Sequence, residues 1–471
     1  MNEKILAVDL DNTLIKTDMS FETLVYVIKN NPLLILKVLS ILIFRGKSFA
    51  KKCLFENSNI DISDIQINQD IIRFIKKNKK KYIKVILISG SRHEIVRKFF
   101  EYTDIFDEYH GSDDNINLVG TNKINFINSN YNQITFDYIG DSKKDIPIWK
   151  YCGHALVVSR DSLLSKLNDS NISVEIISQN YEPTLNDFFY LLRVHHWIKN
   201  SLIFIPMLLA HEITQLNIIV LILAFISYSL IASSVYILND LIDKKFDSMH
   251  ITKKYRPIAY GKIQIANALS YAAIILVIGL ILSLNVNINF FLLTLSYFII
   301  AVSYSIYLKD IIYLDLVMLA IFFITRILAG GFAVDISISI WFVLFSMFFF
   351  LSMASIKRIT EIQKYAPNQE SYTGRPYNRK SLNSLNIIGA ISGLLSMMVF
   401  VLYITSESSG ILYSNTPYLY IANLLLFYWL GRVFYLTYNE TMHDDPIIFS
   451  MTDKISYLII SLILLTFYLA I

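Results

Sequence analysis

Asn239-Asp240-Leu241-Ile242-Asp243-Lys244-Lys245-Phe246-Asp247 follows directly on an apolar run from Leu216 to Leu238, so its carboxylates stand where a membrane helix meets water. The steps from Asp240 to Asp243 and from Asp243 to Asp247 are three and four residues, which on a helix puts all three side chains on one face. Carboxylates so placed repel one another unless a cation neutralises them. Hard oxygen ligands favour Mg²⁺ shared with a substrate's phosphates. An isolated pair of acids at this spacing reads as readily as a solvated helix end. Here Lys253, Lys254 and Arg256 follow, and Lys357 with Arg358 form a second basic cluster further on. A Mg²⁺–diphosphate ligand explains both signs of charge.

Outward from this stretch, the chain changes character. Of 471 residues, 54% are hydrophobic, and with a mean hydropathy of +0.47 the whole is too apolar for a soluble enzyme. The apolar runs lie beyond residue 200, whereas residues 1–180 read as a soluble α/β domain and residues 181–471 as a membrane domain. About nine passes are expected, beginning near 200, 216, 265, 289, 312, 340, 383, 417 and 455. Loops 239–264 and 357–382 are rich in Lys and Arg, including Lys262, Lys364, Arg375, Arg379 and Lys380. Loops 211–215, 285–288, 334–339 and 404–416 have none. By the positive-inside rule the acidic stretch and the amino-terminal domain face the cytoplasm, in an inner (plasma) membrane protein. No secretory signal is expected, because the chain leads at once into an apolar strand. Cys53 and Cys152 lack metal-ligand spacing and imply no disulfide framework. The basic run from Lys76 to Lys81 reads as a solvated helix end, and no nucleic-acid partner is expected. The sequence leaves room for a homo-oligomer.

In the first domain, Ile5 to Val8 is a short strand ending in Asp9-Leu10-Asp11-Asn12-Thr13. Two acids so spaced pair a nucleophile with a general acid on one loop. Val85 to Ile88 runs into Ser89-Gly90-Ser91, and Tyr138-Ile139 runs into Gly140-Asp141-Ser142-Lys143-Lys144-Asp145; Lys123 lies between them. An open parallel sheet gathers such tips in the crevice at its carboxyl edge. Residues 32–44 form an apolar run too short for a comfortable span, read equally as a cap helix or an interfacial helix.

These four motifs resemble the haloacid dehalogenase-type phosphatases over most of residues 4–160. The resemblance implies Asp9 as the nucleophile forming an aspartyl-phosphate and Asp11 as the acid/base. Ser89 would hold phosphoryl oxygens and Lys123 would stabilise charge. Asp9, Asp11, Asp141 and Asp145 would hold Mg²⁺. Asn12 stands where a glycine is often found.

Trp197-Ile198-Lys199-Asn200, the Asn239–Asp247 stretch and Arg256-Pro257-Ile258 resemble the UbiA-type prenyltransferase superfamily over residues 185–471. Lys253 to Ala259, Arg326 to Gly331, Lys357-Arg358 with Glu361, and Ser371-Tyr372-Thr373 are similar to its branch that makes polyprenyl-phosphoryl 5-phosphoribose. The resemblance implies a helical membrane bundle with Asp240 and Asp243 as catalytic residues. It implies Asp240, Asp243, Asp247 and Asp315 as Mg²⁺ ligands, and Lys199, Asn200, Asn239, Lys254, Arg256, Lys309, Arg326, Lys357 and Arg358 as substrate-binding residues. Prenyl-diphosphate enzymes generally carry a second motif of DxxxD spacing. This chain has Tyr304-Ser305, Lys309-Asp310 and then Asp315, which favours phosphoribosyl pyrophosphate as a soluble donor and polyprenyl phosphate as lipid acceptor. Arg326 falls inside an apolar span, where a charge costs on the order of 2.5 to 3.5 kcal/mol, so an anionic partner is expected. His250 and His443 have no assigned role.

The expectation is therefore a bifunctional membrane enzyme. Phosphoribosyl transfer to polyprenyl phosphate is followed by removal of the 5-phosphate, giving polyprenyl-phosphoryl ribose for cell-envelope polysaccharide. Competing readings are prenyl transfer to an aromatic acceptor, with the first domain a tether or regulator, and a transporter; carboxylates clustered at one face argue against the last.

Overall fold

The computed structural model describes residues 4–113, 116–131, 134–159, 167, 172–179, 182–365, 376–442, 445–450 and 452–471. Ser371-Tyr372-Thr373, Arg375 and His443 lie outside the described residues. The chain forms two compact units: Met1–Leu191 with Asp240–Ser248 and Lys253–Ser270, and Leu192–Asn239 with Met249–Thr252 and Tyr271–Ile471.

The first unit is built on six parallel strands: β1 (Ile5–Val8), β2 (Lys84–Arg92), β3 (Glu108–Ser112), β4 (Phe136–Gly140), β5 (Ala155–Ser159) and β6 (Val174–Gln179), in the order β3-β2-β1-β4-β5-β6. Strands of a parallel sheet covered on both faces read as unbroken apolar runs, and Ile-Leu-Ala-Val in β1 is wholly buried. Leu6 and Val8 enter one core with Val85 and Leu87, while Ile5 and Ala7 enter the opposite one with Ile86 and Ile88. Alternation about the pleat thus fixes the register, with Val8 paired to Leu87 on one side and Ile139 on the other. The order reverses between β1 and β4, the place where sheets of this kind open a crevice.

Between β1 and β2 three helices, Met19–Asn30, Leu34–Phe44 and Lys47–Glu56, close around Val27, Val38, Ala50, Cys53 and Leu54. The short apolar run is a helix with one buried and one exposed apolar side. Val38 is buried in that cluster, whereas Leu36, Ile43 and Phe44 are 69%, 75% and 83% exposed.

Among the described residues, seven helices are long and apolar enough to cross a membrane: Gln215–Ile242, Ile265–Val286, Ile288–Ile306, Leu314–Ala333, Ile340–Lys364, Arg379–Ile404 and Pro417–Tyr438; Lys454–Ala470 is a shorter apolar helix. The protein is therefore a multi-pass membrane protein. On Ile265–Val286 the exposed residues Ile274, Val277, Ile281 and Leu284 recur at helical spacing, an apolar stripe suited to lipid. The pass expected near 200 is different. Val194–Phe204 is a 3₁₀ helix and Ile205–Leu209 a short α-helix with Pro206 in its first turn, so no continuous span forms there.

Small residues let these helices approach closely. Ser352 donates to the Gly389 carbonyl at 2.8 Å, and Gly330 lies so near the Ile203 carbonyl that an added Cβ would sit 2.0 Å from its oxygen.

Candidate functional sites

In the first unit, Asp9 sits at the carboxyl end of β1, its amide donating to the Ile139 carbonyl of β4 at 3.0 Å. Its Oδ1 accepts from the Leu10 amide at 2.8 Å and pairs with Lys123 Nζ at 2.9 Å. The loop then turns through Asn12 at φ +54°, a left-handed position that glycine fills freely and asparagine tolerates. The substitution noted in the sequence therefore keeps the turn.

The turn returns Asp11 to the crevice, where its Oδ1 accepts from the Met19 amide at 2.9 Å. Its Oδ2 accepts from Ser91 Oγ at 2.6 Å and Ser89 Oγ at 3.2 Å. Lys123, on Thr121–Asn130, is buried and also donates to Tyr138 Oη at 2.7 Å, and Tyr138 donates in turn to Asp145 at 3.1 Å. Ser142 donates to Asp145 through amide and hydroxyl at 3.1 and 2.9 Å.

One oxygen each from Asp9, Asp141 and Asp145 lie within 4.8 Å of one another. Three converging acids beside one lysine leave excess negative charge, and the side chains respond to it. Burial, opposed by Lys123 but reinforced by Asp145 and Asp11, pushes the Asp9 carboxyl up to about 7. Burial, then the charges of Asp9 and Asp145, hold Asp141 well above the usual carboxylate range. Burial works against the Lys123 ammonium, yet Asp9 and Asp145 raise it above its ordinary value. A hard divalent cation fits this donor set. Asp11 is not one of these three, and its side-chain oxygens accept from Met19, Ser89 and Ser91. Burial, then Asp18, raises its carboxyl, in keeping with a group that carries a proton.

Sequence reasoning named Ser89 but passed over Ser91 and Tyr138. The signal for Tyr138 was available, since a tyrosine inside a buried strand must place its hydroxyl on a partner.

Also in this unit, Arg256 Nη1 bridges Asp240 at 3.0 Å and Asp247 at 2.6 Å. The expected single helical face is interrupted, since Gln215–Ile242 ends before Asp243 and Lys244–Met249 begins after it. Asp240 and Asp247 nevertheless meet at one cation. Burial, countered by Arg256 and reinforced by Asp240, raises the Asp247 carboxyl. Asp243 is not bridged by Arg256, and its carbonyl accepts from the Asp247 amide at 2.8 Å. Lys254 lies 5.1 Å over the Tyr255 ring.

In the second unit, Asn239 lies near the end of Gln215–Ile242. Lys199 pairs with Asp445, which Lys357 also approaches at 3.6 Å. Burial would raise Asp445, but Lys199 and Lys357 hold it well below the usual range. Asn200 donates to Ser229 at 2.8 Å and accepts from Arg326 Nε at 2.8 Å. Arg326 also lies over the Tyr228 and Phe323 rings at 5.5 and 5.3 Å. Its protein partners among the described residues are neutral.

Asp315 and Arg358 come together in this unit. Asp315 accepts from Arg358 Nε and Nη2 at 2.6 and 2.8 Å and from Tyr304 at 2.6 Å, and Arg358 also pairs with Glu361. Both carboxylate oxygens of Asp315 thus accept from Arg358. Arg358 is itself buried, 3% exposed. Lys309 is buried beyond the end of Ile288–Ile306. An apolar cavity of about 430 Å³ lies in the same unit, its walls including Leu202, Pro206, Phe342, Phe349, Trp429 and Phe467.

The parallel sheet and its acid triad are consistent with a haloacid dehalogenase-like domain. A decaprenyl-phosphate phosphoribosyltransferase of Mycolicibacterium smegmatis is 34% identical over 194 residues, covering 39% of this chain and 61% of that protein. An uncharacterized protein of Sinorhizobium fredii, y4nM, is 29% identical over 469 residues, covering 99% of this chain and 90% of its own. A solved UbiA homolog from Archaeoglobus fulgidus bound to GPP and Mg²⁺ covers 60% of this chain and 99% of its own, with 18% identity and a TM-score of 0.46. The profile of the UbiA prenyltransferase family matches residues 201–458, more than half of the sequence, and the chain belongs to that family.

Proposed function

We propose that residues 181–471 transfer 5-phosphoribose from phosphoribosyl pyrophosphate to a polyprenyl phosphate, and that residues 1–180 remove the 5-phosphate. The product is polyprenyl-phosphoryl ribose, for cell-envelope polysaccharide. The observation that carries this reading is the presence on one chain of a phosphoribosyltransferase-like membrane part and a fully populated acid–lysine cluster on a parallel sheet.

In the transfer, an oxygen of the lipid phosphate bonds to the anomeric carbon as its bond to pyrophosphate breaks. Asp240, Asp243 and Asp247 would hold Mg²⁺, which supplies neutralising charge to the departing pyrophosphate. That Arg256 bridges two of these acids supports a cation at this point. Asn239, Lys254 and Lys309 remain candidates for substrate contact. Lys199 and Lys357 share Asp445, and Arg326 rests on neutral groups. Each group thereby keeps net positive charge for anionic substrates. The apolar cavity suits an isoprenoid chain.

In the second step, an Asp9 oxygen attacks the 5-phosphate phosphorus. The ribose oxygen leaves with a proton from Asp11. Asp11 then takes a proton from water, which cleaves the aspartyl-phosphate to phosphate and free Asp9. Lys123 and Ser89 hold phosphoryl oxygens, and Asp9, Asp141 and Asp145 would hold Mg²⁺ there. The Lys and Arg asymmetry of the loops supports a cytoplasmic location for both reactions.

The test is transfer of label from ribose-labelled phosphoribosyl pyrophosphate to polyprenyl phosphate by detergent-purified protein with Mg²⁺. Label should enter the lipid phase and fall by about 10² or more in Asp240→Asn. A folded wild type that leaves the lipid unlabelled contradicts the donor assignment.

A further inference from the structure

The first unit encloses a cavity of about 610 Å³ that neither proposed reaction has used. Its walls come from three stretches of sequence, one of them Asn59 to Gln66. Asn12, Lys16 and Tyr26 contribute from the loop after β1 and the helix that follows it; Phe246, Ile258 and Gln264 contribute from residues 241–266. Asn12 adjoins Asp11 and is hydrogen-bonded to Gln264 Nε2 at 3.0 Å, so residues 241–266 reach the loop that carries Asp9 and Asp11. The contact is braced. Lys244 pairs with Glu22, Lys245 with Asp64 at 2.6 Å, and Lys29 lies 4.7 Å over the Phe246 ring. The short helix Lys244–Met249 thus presents Asp247 to Arg256 and Phe246 to the cavity.

We infer that residues 241–266 complete the substrate pocket of the phosphatase, and that the cavity receives the part of the phosphomonoester that stays behind when phosphate is removed. Three observations define the ligand class. The volume lies within the roughly 300–1,000 Å³ typical of small-molecule sites and far exceeds what phosphate alone needs. Lys16 and Lys29 line it for a second anionic group, while the lining carboxylates Asp18 and Asp61 are turned to the Ser20 and Ser63 amides of their own chain turns. Phe246, Ile258 and their apolar neighbours suit the first units of a hydrocarbon tail. A sugar phosphate linked through a second phosphate to a lipid carries all three features. This rests on the phosphatase reading above and extends it: the acidic stretch and the loop after it select the substrate of the other reaction.

The test compares two substrates on the full chain in detergent: p-nitrophenyl phosphate and a short-chain polyprenyl-phosphoryl 5-phosphoribose. Ala266→Trp places an indole in the cavity wall, and Phe246→Ala removes a wall without adding bulk. In both, kcat/KM for the lipid-linked substrate relative to p-nitrophenyl phosphate should fall at least tenfold, through KM. If wild type cleaves both substrates and neither variant changes the ratio, the pocket assignment is overturned. If wild type cleaves p-nitrophenyl phosphate but not the lipid-linked ester, the phosphatase reading itself fails, and the inference with it.

Discussion

Asp9 shows how a few charges in a small volume link stability to pH and to metal. An ordinary aspartate titrates near 3.8, and burial with its acidic neighbours lifts Asp9 to about 7. Between those values the folded state keeps a proton that the unfolded state has lost, so without a divalent cation the free energy of unfolding falls as pH rises through that window. Mg²⁺ relieves the repulsion among the ionised acids. Its thermal stabilisation in detergent should therefore be about 5 °C at pH 8 and a hundredfold excess over Kd, and close to zero at pH 5. An equal shift at both pH values would contradict a cation held by Asp9, Asp141 and Asp145. In the second unit, Asp315→Ala leaves Arg358 buried without its main partner and should cost about 3–5 kcal/mol, read as a lowered unfolding temperature. A ligand role for Asp315 would instead leave stability intact and raise the Mg²⁺ needed for transfer. The polar tips at Asp9, Ser89 and Asp141 were legible because each follows an apolar strand. The Asp315–Arg358 pair was not, because it joins residues 43 apart through the fold and each alone resembles a substrate contact.

Helices passing close together impose a second kind of constraint. Gly330→Ala would drive a methyl group to 2.0 Å from the Ile203 carbonyl oxygen, one turn from the Arg326 that holds Asn200. Overpacking of this kind costs about 1–3 kcal/mol, and the displaced backbone should also weaken transfer. Gly431, with open space where its Cβ would go, supplies the contrast: Gly431→Ala should match or exceed wild-type stability by about 0.5–1 kcal/mol. Thermal unfolding of the two variants side by side checks both outcomes; equal losses would contradict the packing argument. The long spans were legible because a run of about 20 apolar residues has few alternatives in lipid. The segment near 200 was not, because its composition resembles a span while Pro206 and the 3₁₀ turns preceding it break the helix. The break at Asp243 was hidden for a related reason: spacing alone suggests a continuous helix, and two of the three acids still converge through Arg256.

At the scale of the molecule, sequence alone separated a soluble α/β part from a membrane part, because the two need opposite surfaces. It did not reveal that Asp240–Ser248 and Lys253–Ser270, read as a loop of the membrane part, pack in one compact unit with the amino-terminal domain. Contacts such as Gln264 to Asn12 span 252 residues and leave no local pattern. If the two proposed reactions are consecutive steps on one lipid, blocking the second should accumulate the product of the first. Mass spectrometry of the lipid formed from polyprenyl phosphate, phosphoribosyl pyrophosphate and Mg²⁺ reads this out. Wild type should yield polyprenyl-phosphoryl ribose, Asp9→Asn should stop at the 5-phosphorylated lipid, and Asp240→Asn should make neither. An Asp9→Asn protein that gives the same dephosphorylated lipid as wild type, or a folded wild type that places no pentose on the lipid, would contradict it.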